Sequence, residues 1–284
     1  MKLCLWYGDT FVRSFKRIRG IDAFGCVCRG NVVSEPSRGT ALLRIARILP
    51  MNGTAADVMA ALAAAADPDK IPGLARFFKT GPGGYGEGDE FLGLTVPTTR
   101  RLMKPFVGLP IDQVDLLLDS GVHEHRFVGL LILVSRYKKD PRTIADFYLA
   151  AVRRGRVNNW DLVDCSAEFI LGEYLFDRPR ELLFELAASD SIWERRVAML
   201  STFGFIKHGD ASTALEIATV LTPDRQDLIQ KAVGWMLREV GKRVDPALLT
   251  TYLDDHAASL SRTSLSYATE HLTPEQRIHY RSLR

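Results

Sequence analysis

From Thr54 to the C-terminus, apolar residues recur at intervals of three and four, and runs of strict alternation are few. Amphipathic segments near 97–107, 110–119, 123–137, 140–154, 159–176, 178–189, 192–207, 210–221, 225–242, 246–255, 259–271 and 274–283 predict helices. An alanine-rich run to Ala66 precedes them. It opens with Thr54 and Asp57, spaced as in a capping box with Asp in place of Glu. The breaks are short. Asp140-Pro141, Arg178-Pro179, Thr222-Pro223, Asp245-Pro246 and Thr273-Pro274 each read as a cap followed by proline in the first turn, where the missing N–H costs no hydrogen bond. The main interruption is the Gly/Pro-rich stretch from Lys79 to Gly88. The pattern predicts an all-α protein.

The segments echo one another. Trp193 to Leu200 resembles Ile229 to Met236, placing Arg196 and Lys231 35 residues apart, and Arg262 follows 31 residues later. Helix pairs repeating at roughly 30–40 residues predict an α-α superhelix, a solenoid of HEAT/armadillo-like repeats whose concave face suits an elongated partner.

Composition adds bounds. At 284 residues, 46% hydrophobic and 25% charged, the chain can bury a sizeable core. No run approaches the roughly 18 apolar residues of a membrane span. The net charge of +3 is uneven: residues 1–50 carry nine Lys/Arg against three Asp/Glu, and the remainder carries 28 against 31. Bulk charge therefore does not announce a nucleic-acid partner, and local placement must supply any attraction. Residues 1–50 have little helical period, no signal-peptide core, and three of the four cysteines, Cys4, Cys26 and Cys28. The lone Cys26-x-Cys28 is too small for a tetrahedral zinc site. This stretch is expected to be an extension, disordered or outside the folded domain, with residues 51–284 forming that domain from Met51.

Helix 225–242 carries the densest candidate chemistry. Leu228, Ile229, Ala232, Val233, Met236, Leu237 and Val240 fall on one face as a core stripe. Lys231, Trp235, Arg238 and Lys242 stand on another, a basic strip with an interleaved aromatic that suits a nucleic-acid backbone. The same strip also reads as a Trp covered by cationic stems. Arg196, Leu200, Phe203 and Lys207 form a second strip, with Arg196 a candidate phosphate or carboxylate partner. Arg195 points elsewhere.

In helix 159–176, Trp160 and Asp164 lie side by side, and Asp164 continues into an apolar stripe through Ala167 and Leu171. A carboxylate there needs a partner. An arginine of the next repeat would meet that need. Beside an aromatic wall the same carboxylate could instead stabilise a developing cation or orient a water. Other signals lapse. The 81–88 stretch lacks the G-K-[ST] of a phosphate loop, and Lys79-Thr80-Gly81 lacks the other β-lactamase motifs. His123 and His125 lack zinc spacing, so no metal and no cofactor is expected, and Cys165 reads as a small core residue.

Asn159-Trp160-x-x-x-Asp164, Trp193-x-Arg195-Arg196-x-Ala198-x-Leu200 and Gln230-Lys231-Ala232-x-Gly234-Trp235-x-Leu237-Arg238-Glu239 together resemble the AlkD-type DNA alkylation repair glycosylases. Phe77-Phe78-Lys79-Thr80-Gly81 and Phe91-Leu92-Gly93 with Pro97 are similar to that family's N-terminal segment. The similarity runs from about Asp57 to Leu272. The resemblance implies a HEAT-like solenoid cradling duplex DNA. It further implies hydrolysis of the N-glycosidic bond of cationic N3- and N7-alkylated purines, with Trp160, Asp164 and Trp235 as the cleft and Arg196 beside it. Lys231, Arg238, Lys242 and Lys207 are expected on the DNA face. A monomer acting on duplex DNA in the cytoplasm, bound at the nucleoid, is the corresponding expectation. The alternative is a non-catalytic HEAT-repeat module that binds DNA structures or a protein.

Overall fold

The computed structural model describes residues 53–283. The expectations for residues 1–50, the Cys26-x-Cys28 pair and a start at Met51 lie outside the described residues.

The described residues form helices joined by short connections, as the periodicity predicts, except for the long Gly-rich connection 78–95. They are α1 (Ala55–Ala63), α2 (Ile71–Phe77), α3 (Val96–Met103), α4 (Ile111–Leu118), α5 (His123–Arg136), α6 (Pro141–Arg153), α7 (Trp160–Asp164), α8 (Glu173–Leu175), α9 (Glu181–Ala187), α10 (Ile192–Lys207), α11 (Ser212–Leu221), α12 (Asp227–Arg243), α13 (Pro246–His256), α14 (Arg262–Ala268) and α15 (Pro274–Ser282). Thr54 and Asp57 exchange both hydrogen bonds of a capping box. Asp140, Asp245 and Thr273 cap their helices ahead of a first-turn proline. The other two proline breaks differ. Pro179 precedes α9 by two residues, with Arg180 at the cap position, and Thr222 closes α11 while α12 opens at Asp227. Both prolines stand in connections.

The segment foreseen as one helix, 159–176, is broken. α7 ends at Asp164, a π-helical turn runs Glu168–Gly172, and α8 follows. Gly172 crosses α10 at Gly204 so closely that a Cβ on Gly172 would lie 2.4 Å from the Ser201 carbonyl oxygen. The next crossing repeats the device: a Cβ on Gly234 would lie 2.4 Å from the Ser264 carbonyl oxygen. Glycine at these points lets successive backbones touch.

The helices stack as an α-α superhelix. One row runs α5, α7–α8, α10, α12 and α14, each packed on the next, while α9, α11 and α13 cover them from the other side. The core lies between the rows. Leu131, Ile132, Tyr148, Leu162, Ile170, Phe205, Val233 and Leu253 are among its fully buried side chains. The stripe foreseen on α12 is buried from Ile229 to Val240, with Leu228 half-buried at its edge. Cys165 is buried in the core, its thiol donating to the Leu162 carbonyl. No helix of the described residues is long and apolar enough to cross a membrane.

Candidate active site

Asn159 accepts the Trp160 N–H at 2.8 Å and so starts α7, which presents Trp160 at its first position and Asp164 one turn later. Arg196 reaches Asp164 from α10 with Nε at 2.9 Å from Oδ1 and Nη2 at 3.0 Å from Oδ2. Its Nη1 donates to the Leu228 carbonyl on α12 at 2.6 Å. One buried guanidinium thus ties three successive helices of the row, and Arg196 is a carboxylate partner. Asp164 remains 20% exposed. Burial lifts its carboxyl from the ordinary 3.8 to about 6, the Arg196 charge opposing that rise and Asp161 adding to it.

Trp160 stacks on Phe78, ring centroids 5.3 Å apart and 15° between planes, and meets Phe77 edge-on at 5.5 Å. Behind Phe78 the stack continues to Phe91 at 5.1 Å and His123 at 4.8 Å. The Gly-rich loop closes over this edge. A Cβ on Gly86 would lie 2.4 Å from the Phe78 carbonyl oxygen, so only glycine passes there. Tyr85 bonds that loop to the Phe77 carbonyl and packs edge-on against Trp193 at 6.1 Å.

Trp235, half-buried on α12, packs against Phe203 at 6.0 Å. Phe203 lies seven residues beyond Arg196, roughly 10 Å along α10. The structure thus joins Asp164 and Arg196 directly, places Trp160 one turn before Asp164 on α7, and sets Trp235 further along the same row.

The four cations expected on the DNA face differ in their partners. Lys207 pairs with buried Glu168 and lies 4.6 Å over the Phe203 ring. Lys231 pairs with Asp227 at 2.7 Å. Arg238 is held by Glu239 at 2.9 Å and Glu270 at 2.6 Å. Lys242 is exposed, with no ion pair among the described residues. Arg195 binds Asp224 at 2.6 Å, away from Asp164. Among the described residues no cluster of His, Cys, Asp and Glu is arranged to hold a metal ion.

A buried charge network beneath Trp160 escaped the sequence reading. His123 Nε2 faces Asp161 Oδ2 at 2.8 Å and its Nδ1 faces Asp89 Oδ2 at 3.3 Å. Arg126 donates to Asp89 at 2.5 Å, and Asn159 donates to it at 3.2 Å. Burial works against a charged imidazole, but the two carboxylates outweigh it and hold His123 at about 9. The one signal in the chain was four successive polar residues, His123 to Arg126, opening an apolar helix; all four are buried.

A family model for DNA alkylation repair enzymes matches residues 58–272. Among solved structures, one described as a "Predicted DNA alkylation repair enzyme from Enterococcus faecalis" is similar at a TM-score of 0.61 and 18% identity, covering 74% of this chain and 97% of that one. That likeness concerns the fold. A comparison with curated proteins matched none. The family match spans most of the chain that carries the Trp160–Asp164–Arg196 arrangement, and the chain belongs to the DNA alkylation repair enzyme family.

Proposed function

We propose that this chain is a DNA glycosylase that hydrolyses the N-glycosidic bond of cationic N3- and N7-alkylated purines in duplex DNA. The observation that carries the proposal is Asp164, clamped by Arg196 yet one-fifth exposed, one helical turn beyond Trp160 on α7. A purine alkylated at N3 or N7 already bears positive charge and leaves without a strong general acid. The C1′–N9 bond breaks with its electron pair going to the base, which departs neutral. Positive charge then develops on the sugar. Asp164 stabilises that charge through space and takes a proton from the water that adds to C1′, leaving an abasic deoxyribose. Arg196 occupies only part of the carboxylate's acceptor capacity. Trp160, whose ring is stacked on Phe78, and Trp235 are the aromatic neighbours this reading assigns to the cationic sugar, their ring quadrupoles favouring positive charge.

The Asp164 carboxyl sets the pH dependence. Its folded value is raised from 3.8 to about 6, so the ionised form is lost as pH falls through that value. The lesion's fixed charge does not titrate. Single-turnover release of 7-methylguanine is therefore expected to rise through one ionisation near pH 6 to a plateau by pH 8. A rate that is flat from pH 5 to 8 would remove the carboxylate from the chemistry.

Lys242 is the exposed member of the strip that has no ion pair among the described residues. Lys242→Ala is expected to lower the slope of log affinity against log salt by about 0.9, the contribution of one phosphate. Lys207→Ala should change it less, because Glu168 already neutralises that ammonium. A slope near zero for the unsubstituted protein would favour the protein-binding scaffold.

A further inference from the structure

The buried network around His123 has no part in the chemistry above, yet it meets α7 within one turn of Asp164. A neutral imidazole has one N–H. His123 faces a carboxylate oxygen with each ring nitrogen, Asp161 at 2.8 Å and Asp89 at 3.3 Å, so only the imidazolium can donate to both. Each carboxylate then faces a cation, Asp161 facing His123 and Asp89 facing both His123 and Arg126.

The two carboxylates belong to different parts of the site. Asp89 ends the Gly-rich loop: its N–H donates to the Gly86 carbonyl at 3.0 Å, and the Glu90 carbonyl accepts the His123 N–H at 2.8 Å. Asp161 is the second residue of α7. The His123 ring also packs on Phe78 and Phe91, the rings that support Trp160.

We infer that His123 is a positioning residue for Asp164, its imidazolium pinning the Gly-rich loop to the start of α7 and neutralising Asp161 so that the Asp164 carboxylate ionises. This rests on the reading of Asp164 as the catalytic group. The charged groups facing His123 are Asp161 from α7, Asp89 from the loop and Arg126 from its own helix. Those acting on Asp164 are Arg196 from α10 and Asp161. Asp161 Oδ1 is buried without a hydrogen bond among the described residues, so His123 is the ion-pair partner that screens it.

The test uses the full 284-residue chain and follows the Asp164 carboxyl by carbon-13 NMR, alongside the pH dependence of 7-methylguanine release. His123→Gln removes the cation and is expected to raise the Asp164 midpoint by about one pH unit. Release at pH 6 should then fall roughly fivefold and recover above pH 8, with duplex affinity unchanged. Adding Asp161→Asn removes the paired charge and should return the midpoint to its original place. An unmoved midpoint, or a loss equal at every pH, overturns the inference and leaves His123 a purely structural residue. Should His123→Gln not fold, nitrogen-15 NMR of the unsubstituted protein decides: both ring nitrogens protonated at pH 7.5 supports the inference, and a neutral tautomer overturns it. A midpoint that moves in a protein releasing no base would refute the glycosylase reading and keep the linkage. Base release with an unmoved midpoint would do the reverse.

Discussion

Asp164→Asn is expected to reduce single-turnover base release by about 10²–10³-fold at pH 8 while leaving duplex affinity close to that of the unsubstituted protein. The reason is specific to the geometry. Asparagine keeps the shape of the side chain and one oxygen for Arg196, but it carries no charge to set against a developing sugar cation and accepts no proton from water. Arg196 then stands half-answered, so some stability is lost as well. Binding is the control, because the cations of the strip on α12 are untouched. Comparable release by the variant at saturating enzyme would refute the role of the carboxylate. A parallel loss of binding and release would point to a folding defect.

The second large effect concerns stability. Arg196→Met removes both donors to Asp164 and the donor to the Leu228 carbonyl at once. Breaking a buried ion pair costs about 3–5 kcal/mol, and the partial exposure of Asp164 places this case near the lower end. The sign of its pH dependence follows from Asp164. Burial raises that carboxyl and Arg196 pulls it down. Without Arg196 the folded value climbs further above the unfolded one. A group with a raised acid pKa in the folded state carries no penalty below the unfolded value, and the penalty grows as pH rises toward the folded value. The stability gap between Arg196→Met and the parent should therefore widen from pH 4 to pH 8 in urea unfolding. An equal gap at both ends would mean that Arg196 acts by packing and the Leu228 hydrogen bond alone.

Much of this architecture is legible in the sequence because helical periodicity is a local property. The repeat of Arg196 and Lys231 revealed the row of helices, and the apolar stripe of α12 gave its buried face. Asp164 in an otherwise apolar stripe demanded a partner, and Arg196 on the following repeat supplied it. Three features were not legible, for one shared reason. A helical wheel shows which way a side chain points, not what stands opposite. The π-helical turn in 159–176 ends where Gly172 meets Gly204, a contact between repeats. Lys207 and Arg238 looked like free cations on their own helices, yet Glu168 and Glu270 meet them from neighbouring elements. The Asp89–His123–Asp161 network joins residues 34 and 38 positions apart through a Gly-rich loop with no periodicity to read. The spacing of His123 and His125 argues against a helical zinc pair and carries no sign of the two carboxylates that face His123.

Base excision is tested most directly by chromatographic detection of free 7-methylguanine after incubating the 284-residue protein with methylated duplex DNA, with abasic sites counted in the same sample. Free base and abasic sites are expected in equal amounts. Duplex bound at saturation with neither product formed would contradict base excision.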